Sequence, residues 1–168
     1  THILEGYKVA TKMAKHGAGG SSFSDWWAYK YEVIDAIPYN GPILTEAGVT
    51  VAYNSDNAEM IRRLNQEAAK AVKYGGLSEE EAWKYVTLNP AKLLRIDDKV
   101  GIIALGKHAD LVIWSHNPLS IYAVAEKTII EGAIFYDYMK LDEKIKHNEK
   151  EREIIITQLK EAKKSGAK

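Results

Sequence analysis

Val49-Thr50-Val51-Ala52-Tyr53 is a short β-branched run that stops at Asn54-Ser55-Asp56-Asn57, and its reading as a strand decides the rest of the chain. β-Branched and aromatic side chains suit a pleated surface, and the polar cluster behind them marks the way out of it. Downstream, Met60, Ile61, Leu64, Ala68, Ala71 and Val72 share one face at helical spacing, which predicts a helix over 60–74 closed by Gly75-Gly76. Ser78-Glu79-Glu80-Glu81 is a capping box, with Leu77 and Ala82 placed as its hydrophobic staple. Asn89-Pro90 then starts a short helix, with Asn89 as N-cap and Pro90 at the first helical position. Upstream, Pro42 to Ala47 reads as a short helix closed by Gly48, and Ala18 to Ser24 as a small buried strand. Leu4, Tyr7, Ala10, Met13 and Ala14 predict an amphipathic helix over 3–16, ended by Gly17. Strands that alternate with helices through residues 1–97 imply parallel βα units, hence an α/β fold.

The pattern changes near Asp97-Asp98. Short strands are predicted at Val100–Ala104, Asp110–Ser115, Lys127–Ile130 and Ala133–Tyr136, with Glu131-Gly132 as a hairpin turn. Residues 98–140 thus form a β module too thin to be a core by itself. Residues 141–168 hold a charged helix over 141–164 with a sparse apolar stripe of Leu141, Ile145, Ile155 or Ile156, and Leu159. It reads as a solvated helix lying on a neighbour.

Composition narrows the classes. The 168 residues are 46% hydrophobic and 27% charged, with 23 basic and 23 acidic groups, five His and no Cys. That is a globular composition with no disulfide framework and no Cys-ligated metal. Zero net charge and the lack of a basic patch argue against a nucleic-acid binder. No apolar run reaches membrane-spanning length. Thr1-His2-Ile3-Leu4-Glu5 has neither the basic nor the long apolar segment of a secretory leader, so the expected compartment is cytoplasmic.

In parallel βα architecture, reacting groups sit where strands end and loops begin. Asp56 follows the strand 49–53, Asp25 follows the strand 18–24, and His2 precedes the first helix. His and carboxylate together suit a divalent hydrolytic metal. Asp56 is equally a natural helix N-cap. Asp25, Trp26 and Trp27 line a substrate pocket or else cover the rim as packed aromatics, and Asn54 and Ser55 stand close enough to Asp56 to touch a substrate. Lys107-His108-Ala109-Asp110 reads as a structural turn in which Asp110 satisfies backbone donors.

Three stretches together resemble the metal-dependent amidohydrolases. They are Val49 to Asp56 with the helix behind it and Gly76-Leu77-Ser78-Glu79-Glu80-Glu81-Ala82; Thr87-Leu88-Asn89-Pro90-Ala91; and Val100-Gly101 with Leu105-Gly106-Lys107-His108-Ala109-Asp110-Leu111-Val112. The likeness runs in order through residues 1–137. It is greatest to the imidazolonepropionase-like branch, in which His2-Ile3-Leu4-Glu5-Gly6 resembles the end of barrel strand six.

The resemblance implies the C-terminal portion of a (β/α)8 TIM-like barrel, strands of a small composite β-sandwich domain, and a terminal helix. It implies a divalent metal, zinc foremost. His2 would be the strand-six metal ligand, and Asp56 the strand-eight ligand and proton carrier. The implied reaction is hydrolysis of a C–N bond in a small amide, cyclic amide or peptide-like substrate. The family's other ligands have no counterpart: the chain holds no His-x-His pair, and no strand-four Lys or strand-five His can be placed. A barrel of this kind needs about 250 residues. The expectation is therefore a fragment that is inactive alone, and that forms a homo-oligomer or pairs with the missing barrel half to cover open strand edges. The alternative is a non-catalytic binding or structural module that assembles with another chain.

Overall fold

The computed structural model describes residues 1–24, 26–27, 30–164 and 166. Helix α1 (Ala10–His16) leads into strand β1 (Gly20–Ser22), and α2 (Asn40–Glu46) leads into β2 (Val51–Tyr53). The strands are parallel, with Gly20 opposite Val51, Ser21 opposite Ala52 and Ser22 opposite Tyr53. Helices α3 (Leu64–Gly75), α4 (Glu79–Lys84) and α5 (Leu88–Leu94) follow. The chain is thus α/β, and its crossovers are those that parallel strands require.

Both outer edges of the β1–β2 pair are occupied from within the chain. On the β1 side, Ile3 N–H donates to Ser21 O (3.1 Å), and Ile3 O accepts from Ser22 Oγ (3.0 Å) and Asn40 Nδ2 (2.7 Å). Residues 1–3 therefore lie beside β1, tied to it through Ile3, with His2 in a left-handed conformation at φ 62°. This corrects the expected helix over 3–16. The helical path starts only with a 3-10 turn at Gly6–Val9, because Ile3 spends its backbone groups on the sheet. On the β2 side, Tyr53 N–H donates to Tyr85 O (2.8 Å) and Asn89 Nδ2 donates to Val51 O (2.7 Å). Asn89 is therefore not the N-cap of α5. That position belongs to Thr87, and Asn89 sits inside the first turn with its side chain turned to the strand.

The core lies between β2 and the helices. Leu44, Val51, Ala71, Ala82 and Tyr85 are fully enclosed, and Tyr53 meets Tyr85 edge to face at 4.8 Å. The Tyr85 hydroxyl pairs with the Thr45 hydroxyl. Burial pushes the Tyr85 phenol up to about 12 and raises Tyr53 too, so both remain neutral packing groups at physiological pH. A Cβ on Gly75 would collide with the Pro42 ring, so glycine lets α3 close onto α2. Ser78 caps α4 as expected, accepting from Glu81 N–H at 3.2 Å.

The β module is a three-stranded antiparallel sheet, in the order β3 (Leu111–Trp114), β4 (Ala125–Ile130), β5 (Ala133–Asp137). Glu131 and Gly132, at φ 49° and 82°, form the two-residue hairpin turn between β4 and β5. Asp110 Oδ1 accepts from Glu131 N–H (2.8 Å), as its turn position suggested. The expected strand at Val100–Ala104 is absent. Val100 N–H folds back to Ile96 O, and Gly101 turns at φ 98° against Ala91 and Leu88, so this segment packs on α5 instead of joining the sheet. After β5, Asp137 caps a 3-10 turn at Tyr138–Lys140 that opens into α6 (Leu141–Lys164). No residue of α6 is buried. Among the described residues, no helix is long and apolar enough to cross a membrane.

Candidate functional site

His2 and Asp56 meet beyond the C-terminal ends of β1 and β2. His2 Nε2 lies 3.0 Å from Asp56 Oδ2 across three neighbouring segments of chain. A carboxylate only accepts, so His2 donates through Nε2–H, and its Nδ1 is hydrogen-bonded with the Thr1 hydroxyl at 3.1 Å. The pieces of sequence that build this contact are separate. The Ile3 bonds to β1 carry His2 to the strand end, and β2 delivers Asp56 to the same end. Phe23, buried just after β1, presents its ring to the His2 imidazole edge to face at 4.9 Å. Trp26 stacks on Phe23 at 4.4 Å and donates Nε1–H to Met60 Sδ. The His2 ring is thus held between a carboxylate and an aromatic stack, while the side chains of His2 and Asp56 stay about half exposed (49% and 52%).

Asp56 is free of the capping work that competes for it. Asn57 Oδ1 accepts from Glu59 N–H (2.8 Å) and Met60 N–H (3.2 Å), so Asn57 caps the turn at Met60–Arg63. Ser55 Oγ is bonded to Asn57 N–H and Asn57 O, both at 3.1 Å, which ties it into the loop. Asn54 Oδ1 accepts from Ser21 Oγ (2.8 Å) and Asn54 N–H donates to Ser22 O, so Asn54 braces β1 against β2 beside the His2–Asp56 contact. Trp27 meets Tyr74 of α3 edge to face at 5.9 Å. Both tryptophans are half-buried and packed on the helices after β2. Asp25, the remaining expected member of this group, lies outside the described residues.

Glu67 is the residue that sequence reasoning passed over. It is 4% exposed, accepts from the Ser24 hydroxyl and pairs with Lys70 at 2.8 Å. It anchors the start of the aromatic loop to α3. The available signal was a carboxylate on the apolar stripe of that helix, at i+3 from Leu64 and i−4 from Ala71.

The donor chemistry at His2 and Asp56 fits a divalent cation. Nitrogen and oxygen ligands at about 2.1 Å and tetrahedral angles lie roughly 3.4 Å from each other, so the 3.0 Å hydrogen bond between His2 Nε2 and Asp56 Oδ2 opens slightly to admit an ion. The number of donors falls short: among the described residues, no group of three or more His, Cys, Asp or Glu converges.

A sequence model of the amidohydrolase family matches residues 41–164. The chain belongs to the amidohydrolase family. This amidohydrolase chain is 34% identical over 116 residues to the amidohydrolase tasK of Hapsidospora irregularis, covering 68% of the chain and 12% of that protein. It is 53% identical over 38 residues to the imidazolonepropionase of Shewanella baltica, covering 23% of the chain and 9% of that protein. Its structure is similar to that of an amidohydrolase from Thermotoga maritima, with a TM-score of 0.76 and 30% identity over 81% of the chain and 36% of the neighbour. An adenosine deaminase from Xanthomonas campestris, solved with bound zinc, shares the fold with a TM-score of 0.63 at 18% identity, over 81% of the chain and 36% of that protein. The amidohydrolase chain therefore spans about a third of these solved structures and a smaller share of the sequence relatives.

Proposed function

We propose that this chain forms the strand-seven and strand-eight side of a (β/α)8 amidohydrolase barrel, and that the complete site hydrolyses a C–N bond in a small amide, cyclic amide or peptide-like substrate. In this reading residues 1–97 are the last βα units, 98–140 the C-terminal strands of the composite β-sandwich, and 141–168 a terminal helix. The observation that carries the proposal is the 3.0 Å approach of His2 Nε2 to Asp56 Oδ2 beyond the ends of the parallel strands β1 and β2. Family membership and the zinc held by one structural neighbour support it.

His2 and Asp56 would be the two ligands this chain contributes. When bound, a divalent ion supplies Lewis acidity and lowers the pKa of water toward neutrality. With Oδ2 toward the ion, the other carboxylate oxygen of Asp56 would take up the proton of the attacking water and return it to the leaving nitrogen. His2 fixes the orientation of that carboxylate, or hydrogen-bonds the substrate carbonyl when its Nε2 is not ligating. Trp26 and Trp27 wall the substrate side, while Asn54 and Ser55 hold the strand-eight loop and offer polar contacts. Two donors do not retain a catalytic metal, so the isolated chain is inactive and completes its site only with ligands from outside the described residues. The alternative, a non-catalytic module that assembles with another chain, shares this dependence on a partner.

Calorimetric titration of the 168-residue chain with zinc tests the ligand roles, with an amide-hydrolysis assay alongside. The expected result is weak binding that either His2→Ala or Asp56→Asn reduces by about tenfold or more, without turnover. Turnover by the chain alone, or binding indifferent to both substitutions, would contradict the proposal.

A further inference from the structure

The carbonyl of Ile3, one residue after His2, takes two side-chain bonds at once, from Asn40 Nδ2 at 2.7 Å and from Ser22 Oγ at 3.0 Å. Asn40 is the first residue of α2 and is 3% exposed. An Asn at a helix start ordinarily caps the helix, but α2 has no side-chain cap, and the Asn40 amide is turned away from its own helix. Its Oδ1 accepts from Tyr7 N–H at 2.9 Å, while Nδ2 donates to Ile3 O and reaches Ser22 Oγ at 3.4 Å. One buried side chain therefore bridges α2, β1, Ile3 and the 3-10 turn at Gly6–Val9. Burying an amide is costly unless its groups are matched, and here the oxygen meets a donor and the nitrogen meets acceptors. Gly6 makes room for the Ile3 side chain in this seat: a Cβ there would fall 2.6 Å from Ile3 Cγ2.

The conformation of His2 needs such a hold. Its φ is 62°, a left-handed value that a residue with a Cβ keeps only where its surroundings fix it. Ile3 N–H donates to Ser21 O at 3.1 Å, so both backbone groups of the residue after His2 are engaged. The peptide joining His2 to Ile3 thereby has a set place and direction, and the imidazole meets Asp56 Oδ2 and the Phe23 ring. The same Ser22 accepts from Asn54 N–H at its carbonyl (3.0 Å), two residues before Asp56. We infer that Asn40 is a positioning residue for His2: through the Ile3 carbonyl it holds the imidazole where His2 and Asp56 can serve one ion. This rests on the ligand roles proposed above for those two residues. The part calls for a carboxamide. A carboxylate would offer the Ile3 carbonyl only acceptors, and an aliphatic side chain would make none of the three bonds.

NMR of the 168-residue chain at neutral pH reads the position of His2 directly, with His2→Gln identifying its signals among the five His. The native chain should show a nuclear Overhauser contact between the rings of His2 and Phe23, whose centroids are 4.9 Å apart. Asn40→Asp is nearly the same size and keeps an acceptor for Tyr7 N–H, but sets an oxygen against Ile3 O. Asn40→Ala removes all three bonds without adding charge. Each should lose the ring contact, and Asn40→Ala should weaken zinc binding in calorimetry by about tenfold. Thr45→Val, on the same helix, is the control for a merely structural loss. It unpairs the Tyr85 hydroxyl, and should lower stability while leaving ring contact and zinc affinity as in the native chain. Circular dichroism checks folding, and where Asn40→Ala does not fold, Asn40→Asp decides. A native chain without the ring contact, a folded Asn40 variant that keeps it, or its loss in Thr45→Val as well would overturn the inference. A native chain with no zinc affinity would count against the ligand roles of His2 and Asp56 instead, and the ring contact would still decide for or against Asn40.

Discussion

Asp56 and Asn57 are adjacent, and both have side chains suited to a helix start. In the fold they divide the work: Asn57 Oδ1 takes the Glu59 and Met60 N–H groups, and Asp56 Oδ2 faces His2. Replacing Asn57 with Ala should therefore cost about 1 kcal/mol of stability, the usual value of a lost N-cap. Asp56→Ala should stay within about 0.5 kcal/mol, as for an exposed position without a capping role. Urea denaturation of the two variants checks this, and a larger loss at Asp56 would return it to a capping role. The sequence marked this loop as the end of a strand, but the choice between two neighbouring caps depends on where the following turn begins. That is a matter of one residue, decided by backbone geometry. Glu67 was hidden for a related reason. A carboxylate on an apolar stripe is explained by the partners it meets: Lys70 is its local i+3 neighbour on α3, but the Ser24 hydroxyl that covers it comes only with tertiary structure.

Among the elements, those with a strong local pattern were legible. The β-branched run before Asp56, the Ser78 cap and the Glu131-Gly132 turn each follow from side-chain shape or a short-range hydrogen bond. Elements whose backbone is claimed from afar were not. Asn89 looked like a cap and is drawn to Val51 O, Ile3 looked helical and is drawn to β1, and Val100–Ala104 looked extended and is turned at Gly101 onto α5. The β4–β5 hairpin carries a testable electrostatic lock. The Lys127 ammonium at 2.7 Å, with help from Met139 N–H, holds the Asp137 carboxyl below its ordinary 3.8. A carboxyl with a depressed folded pKa stabilises the fold fully above its unfolded value, and loses that contribution as acid protonates it. Asp137→Asn should therefore lower the melting temperature at neutral pH, and the gap to the native chain should close as pH falls below 3.8. A gap that is constant through the acid range would show that the ion pair contributes nothing.

At the scale of the molecule, the parallel unit is more self-contained than a cut sheet would suggest. Ile3 covers one edge of the β1–β2 pair, and Tyr85 O with the Asn89 amide covers the other. Among the described residues, apolar surface stays open on the segment after α5 and on the β module, including Ile103, Leu105 and Phe135, and at Ile145, Ile155 and Leu159 of α6. The βα alternation was legible because it recurs along the chain, and the family because distinct motifs stand in a characteristic order. The meeting of His2 with Asp56 was legible only through resemblance, since no local rule brings two such distant residues together. The chain covers 36% of its Thermotoga neighbour, so its role in chemistry rests on what this edge can hold. Anomalous diffraction at the zinc edge, from crystals of the chain grown with excess zinc, tests that directly. The account predicts an ion between His2 Nε2 and Asp56 Oδ2, within about 2.2 Å of each, that disappears in Asp56→Asn. Zinc bound only at other histidines, or a His2–Asp56 contact that excludes it, would contradict the account.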